Sequence, residues 1–317
     1  MTPQDTPVTG AALLGRGVNL GNALEAPREG EWGLVIEESF FDLIADAGFD
    51  SVRVPIRWHA YAALEPPYTL LKTILERVDW VVAQALARDL TVVINVHHYQ
   101  ALIDDPAGQR ERFLAIWRQV AERYAEADDR VIFEVLNEPN GALEGALWNR
   151  VLAEAIVAIR ESNPQRWVIA GPGSWNGYRA LEALELPEDD RRLIVTFHYY
   201  DPFHFTHQGA EWTDGSQAWL GRTWEGTPRE VGEIQNVFDR VARWAAAHER
   251  PVYLGEFGAY SEADMASRAR WTASVAREAE ARGFGWAYWE FASGFGVYDP
   301  VARAWRPELL RALLPSP

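Results

Sequence analysis

Eight short apolar runs, separated by helical periods or loops, place the strongest constraint on what this chain can fold into. They are "RGVNLGN" from 16, "SVRVPI" from 51, "TVVINVHH" from 91, "VIFEVLNE" from 131, "RWVIAGPG" from 166, "LIVTFHYY" from 193, "PVYLGEFG" from 251 and "FGWAYWEF" from 284. The runs are continuous more than alternating, as strands buried on both faces are. Between them lie amphipathic periods. Ile74, Val78, Val81 and Ala85 share one stripe, as do Leu147, Val151, Ala155 and Ile159. Strand and helix alternating eight times without a Pro-, Gly- or Ser-rich linker predicts an α/β fold, a single (β/α)₈ TIM barrel with its active site at the C-terminal ends of the strands. Residues 1–317 are expected to form one catalytic domain, with 1–14 a flexible terminus. The longest interval, 201–229, has no clear period, and its aromatic content predicts one wall of a cleft.

Composition narrows the function. A formal net charge of -16 and no basic stripe argue against nucleic acid, whose binders neutralise phosphates with clustered Lys and Arg. No apolar run approaches a membrane span. With no cysteine there is no disulfide, thiol nucleophile or Cys-ligated zinc. Lys72 is the single lysine and lies early in an amphipathic helix, so a Schiff-base mechanism has no candidate. "MTPQDTPVTG" lacks a basic patch followed by an apolar stretch, so no signal peptide is visible, and both cytoplasmic residence and secretion after signal removal stay open. A monomer acting on a neutral substrate is expected. Fifteen tryptophans, several in loops, offer the flat apolar faces on which sugars stack, although many must serve the core.

The polar residues gather where the runs end. Arg53 lies on run two, His97 and His98 end run three, Asn137 and Glu138 end run four, and His198 and Tyr200 end run six. Glu256 closes run seven and Trp289 run eight. Each alone has a plain reading as a satisfied core or turn residue; their shared position favours a site. Glu134 shares side-chain parity with Glu138, but four extended residues place it roughly 13 Å deeper. It is expected to partner a buried arginine, Arg53 or Arg57. Arg53 and Tyr200 should keep Glu256 ionised, while a drier setting raises the pKa of Glu138. Two carboxyls in opposite environments suit glycoside hydrolysis, one protonating the leaving oxygen and the other attacking the anomeric carbon.

The set "LNEP", "HYY", "GEFG" and "WAYWEF", in order over one barrel, resembles glycoside hydrolase family 5, the cellulase family of retaining (β/α)₈ enzymes. "GVNLGNALEAP", "VINVHHY" and "DPFHFTHQGAEW" are similar to the thermophilic bacterial endoglucanases of that family that also cleave mannan. The likeness spans Gly15 to Leu313. It implies Glu138 as acid and base, Glu256 as nucleophile, and Asn137 on the sugar 2-hydroxyl. Arg53, His198 and Tyr200 would hold the nucleophile, His97 and His98 would contact the sugar beside the cleaved bond, and Trp289 would stack beneath it. Asn22, Glu25, Pro55, His207 and Trp212 match cleft positions, and a cis peptide is expected between Trp289 and Glu290. No cofactor or metal is implied; the partner is a β-1,4-linked polysaccharide or oligosaccharide.

The leading expectation is thus a retaining endo-β-1,4-glucanase, with β-1,4-mannan or glucomannan as the competing main substrate. A metal-dependent barrel hydrolase using His97, His98, His198 and Glu256 is disfavoured, because adjacent strand histidines diverge and the spacings do not suit ligation. A carbohydrate-binding protein without catalysis would explain the tryptophans but not the paired glutamates.

Overall fold

The computed structural model describes residues 10–315. The signal-peptide reading and most of the expected flexible terminus fall on residues 1–9, outside that range. Gly10–Leu14 form a short helix.

Eight parallel strands close into a barrel in chain order: β1 (Arg16–Asn19), β2 (Ser51–Val54), β3 (Thr91–Asn95), β4 (Val131–Glu134), β5 (Val168–Ala170), β6 (Leu193–His198), β7 (Val252–Phe257) and β8 (Gly285–Tyr288). β8 pairs back onto β1, from Arg16 opposite Trp286 to Val18 opposite Tyr288. All eight predicted runs are strands, and each strand stops short of its run. Helices cover the outside. Lys72–Leu86 buries Ile74, Val78, Val81 and Ala85, the predicted stripe. Gly145–Arg160 buries Val151, Ala155 and Ile159, while Leu147 is only partly covered.

Alternation along the strands builds two cores. Val52, Val54, Val92, Ile94, Val131, Phe133, Leu193, Val195 and Phe197 belong to the large layer that includes the helix faces. The intervening Val93, Ile132, Ile169, Ile194, Tyr253 and Ala287 form a separate cluster with Leu14 and Trp167. This period of two directs those residues into the barrel. Continuing each inward row toward the C-terminal end, apolar gives way to polar: Val93 to Asn95, Ile132 to Glu134, Ile194 to Thr196 and His198. On β7 the pairing register shifts between Leu254 and Phe257, and on the β6 side Leu254 opposite Phe197 is followed by Glu256 opposite His198. That bulge brings Glu256 onto the inward side with Tyr253, three residues earlier.

The 201–229 interval contains two short turns of helix, Phe203–Thr206 and Ser216–Trp219, before Pro228–His248. The last helix opens on a capping box between Thr227 and Glu230.

Candidate active site

Arg53 is fully buried at the centre of the site. Its Nε and Nη2 grip the Glu134 carboxylate at 2.5 and 2.9 Å, and Nη2 also donates to Asn137 Oδ1 at 2.8 Å. Nη1 donates to Asn19 Oδ1 at 2.8 Å and to Glu256 Oε1 at 2.7 Å. One guanidinium therefore joins β1, β2, β4, β7 and the loop after β4, its charge balanced by two carboxylates. Of the two partners expected for Glu134, the structure selects Arg53. β4 ends at Glu134 and the chain then turns, reaching φ 49° at Glu138. Glu134 and Glu256 share the Arg53 guanidinium.

Glu138 and Glu256 converge on His198. The ring Nδ1 lies 2.7 Å from Glu138 Oε1 and 3.6 Å from Glu256 Oε2, and one oxygen of each carboxylate lies within 4.8 Å of the other and of the imidazole. Tyr200, just past the end of β6, donates its hydroxyl to Glu256 Oε2 at 2.9 Å. His198 thus faces both acids, whereas Tyr200 binds Glu256. Burial pushes the Glu138 pKa up to about 7, the Arg53 charge opposing. Burial also pushes Glu256 above the ordinary range, against the pull of His198 and Arg53. Desolvation thus opposes the influence expected of Arg53 and Tyr200, which favour the ionised carboxylate. Geometry still separates the two acids: Glu256 accepts from a guanidinium and a phenol, both of which favour its ionised form, while Glu138 meets the imidazole and the neutral Asn137 amide. A single proton shared between them rests on Glu138.

The aromatic floor lies over β1, β3 and β8. Trp289 and His97 stack at 5.9 Å and 10°, and a Cβ on Gly21 would lie 2.9 Å from the indole, so only glycine fits there. The Trp289–Glu290 peptide is cis, as expected. β3 stops at Asn95, and His98 takes φ 51°, so the rings of His97 and His98 meet edge to face at 4.4 Å. This overturns the expectation that they diverge as neighbours on a strand. Among the described residues, however, the group of potential metal donors is Glu138, His198 and Glu256, without His97 or His98. Its donor atoms are committed to one another, to Arg53 and to Tyr200.

Asn22, at φ 63°, donates to Ser293 Oγ at 2.9 Å. Glu25 is fully buried and accepts from the backbone N–H groups of Asn22 and Ala23, so in this structure it holds their turn; burial lifts its pKa to about 7. Pro55 is buried just beyond β2. In the 201–229 wall, His207 is buried and stacks on Phe203 at 4.0 Å, while Trp212 is 62% exposed and edge-on to Tyr260.

Several participants escaped sequence reasoning. Asn19 and Asn95 sit on the inward rows of β1 and β3, Asn95 reaching His97 Nδ1 at 3.1 Å. Glu290 is fully buried and accepts from Ala292, Ser293 and Phe295 N–H groups at 2.7–3.0 Å. Asn176 approaches His198 from behind. Inward parity could have found the first two; nothing in the sequence marks Asn176.

Residues 13–294 match the family model for cellulase, glycosyl hydrolase family 5. The chain belongs to glycosyl hydrolase family 5. Among family 5 relatives, Endoglucanase H of Acetivibrio thermocellus is 39% identical over 95% of this chain but only 33% of its own length. Cellulase/esterase CelE of the same organism is 29% identical, with 36% of its length covered, so the chain spans about a third of either protein. Solved structures of Thermotoga maritima Cel5A are 50% identical. The cellobiose complex superposes with a TM-score of 0.94, covering 96% of this chain and 98% of that one. For the mannotriose complex the values are 0.93, 95% and 97%.

Proposed function

We propose that residues 1–317 act as one monomeric catalytic domain, a retaining endo-β-1,4-glucanase. The observation that carries this reading is the approach of Glu138 and Glu256 to within 4.8 Å, oxygen to oxygen, around His198. Retaining enzymes place their carboxyls about 5–5.5 Å apart, whereas inverting enzymes leave about 6.5–9.5 Å for a water. The close spacing supports direct attack.

In the first step a Glu256 oxygen bonds to the anomeric carbon while Glu138 delivers its proton to the glycosidic oxygen, whose bond to that carbon breaks. In the second step Glu138 takes a proton from water, the water oxygen bonds to the anomeric carbon, and Glu256 leaves as a carboxylate. Arg53 and Tyr200 support Glu256, and His198 stands between the two acids. Asn137, its Oδ1 held by Arg53, turns its amide N–H groups to the sugar 2-hydroxyl. His97 and His98 contact the sugar beside the cleaved bond, with Trp289 beneath. Asn22, His207 and Trp212 contact sugars along the cleft, and Glu25 and Pro55 shape it.

Glu256→Ala is expected to lose nearly all turnover of an aryl cellobioside, and added azide to restore it with formation of the inverted glycosyl azide. Ordinary activity of this variant without azide would remove the assignment.

β-1,4-mannan is a second substrate on this reading, favoured by the Cel5A structures solved with both cellobiose and mannotriose. Glucose and mannose differ by one axial hydroxyl, and one polar contact is worth about 0.5–1.5 kcal/mol, so the kcat/KM values on barley glucan and galactomannan should lie within about tenfold of each other. A ratio beyond a thousandfold would reject dual use.

A further inference from the structure

Three successive non-glycine residues after β5, Ser174, Trp175 and Asn176, adopt φ of 53, 57 and 54°. Left-handed backbone costs an L-residue roughly 1–2 kcal/mol, so a run of three persists only where the surroundings impose it. The impositions are visible. Trp175 N–H donates to the Pro139 carbonyl at 3.1 Å, next to Glu138, and Gly177 forms a backbone bridge with His198. Gly171 must lack a Cβ, which would lie 2.1 Å from Asn176 Oδ1. The result is a fully buried amide whose Nδ2 lies 3.4 Å from His198 Nε2 and whose Oδ1 has no hydrogen-bond partner. Opposite, His198 Nδ1 faces Glu138 at 2.7 Å.

We propose that Asn176 is a positioning residue that holds His198 as the Nδ1–H tautomer, so that the imidazole donates to Glu138 and eases transfer of the Glu138 proton to the leaving group. The inference rests on the reading of Glu138 as general acid. An amide N–H can only donate, so the Nε2 it meets must carry the lone pair. Burial keeps the ring neutral, with its pKa near 4, which leaves one proton, on Nδ1. A donor at that position stabilises the carboxylate that remains when the Glu138 proton has gone. The other charged or titratable groups facing Glu138 and His198 are Arg53 from β2, Glu134 from β4, Glu256 from β7, and Tyr200 and His97 beyond β6 and β3. Among the described residues, Asn176 is the side chain hydrogen-bonded to Nε2.

Asn176→Ala should lower kcat for cellobiosides with poor leaving groups by about tenfold, a fraction of the 10²–10⁴ that general acid catalysis supplies. KM and turnover of 2,4-dinitrophenyl cellobioside, which needs little protonation, should hardly move. The alkaline limb of the pH profile should shift upward in Asn176→Ala and downward in Asn176→Asp, whose carboxylate favours the imidazolium. Equal losses on both leaving groups, or unmoved limbs, would overturn the proposal. Glu138→Gln is the control for the underlying reading: if it too lacks leaving-group dependence, that reading fails first. A direct check needs no variant. Histidine-selective ¹⁵N NMR of the wild-type protein, with His198 assigned through His198→Gln, should show Nδ1 protonated. An Nε2–H tautomer would mean that the amide is reversed and Glu138 is the donor, which rejects the proposal.

Discussion

At the scale of residues, the site is organised around a buried charge. Arg53 compensates Glu134 and Glu256 together, and no other described arginine or lysine forms an ion pair with either. Removing one partner from such a group leaves uncompensated charge in a dry setting, which costs about 3–5 kcal/mol. Arg53→Met is therefore expected to lower stability by that order in urea unfolding and to abolish activity. Arg53→Lys should recover part of the stability but little of the activity, since an ammonium cannot grip Glu134 and reach Asn137 and Glu256 at once. Much of this was legible: the inward direction of Arg53, its tie to Glu256, and the paired roles of Glu134 and Tyr200 follow from alternation and the cost of buried charge. The dryness of Glu256 was not, because desolvation depends on everything packed around a group.

At the scale of elements, the sequence reading placed every strand but ran each one too far. The runs continue past the strands through Val96, Val135, Leu136 and Trp289, yet Val135–Glu138, Val96–His98 and Trp289–Phe291 leave the sheet. Hydrophobic period senses burial, and Val96, Val135, Leu136 and Phe291 remain buried after the strands have ended. The β7 bulge was invisible for a related reason: period alone would set Glu256 opposite in direction to Tyr253. Beyond β8, Glu290 gathers three backbone N–H groups into the turn that follows Trp289. An amide would aim N–H at N–H, so Glu290→Gln should cost about 1.5–3 kcal/mol in urea unfolding and raise KM more than it lowers kcat.

At the scale of the whole molecule, protonation of the buried groups sets the pH range of stability. Glu25, Glu138 and Glu290 are raised to about 7, and the stability tied to their neutral forms is lost as pH rises from about 4.5 through 7. His59, His198 and His207 are lowered to about 4, so their contribution is lost in the opposite sense, as pH falls from about 6.5 through 4. The two sets oppose each other below about pH 6.5 and only the carboxyls act above it, which places the stability maximum near pH 6. Urea midpoints at pH 5, 6 and 8 check this: a midpoint that rises from 6 to 8 contradicts the assignment. Barrel closure and strand order were readable from the sequence because they follow from eight repeated units. The Asn176 loop was not, since its conformation is imposed by partners far away in the chain.

The guanidinium at the heart of the barrel also fixes when the machinery comes into being. Its ligands are drawn from positions 19, 134, 137 and 256, so the assembly is complete only when segments from β1 through β7 are in place together. A fragment that ends before β7 lacks Glu256 and with it one of the two carboxylates that balance the guanidinium.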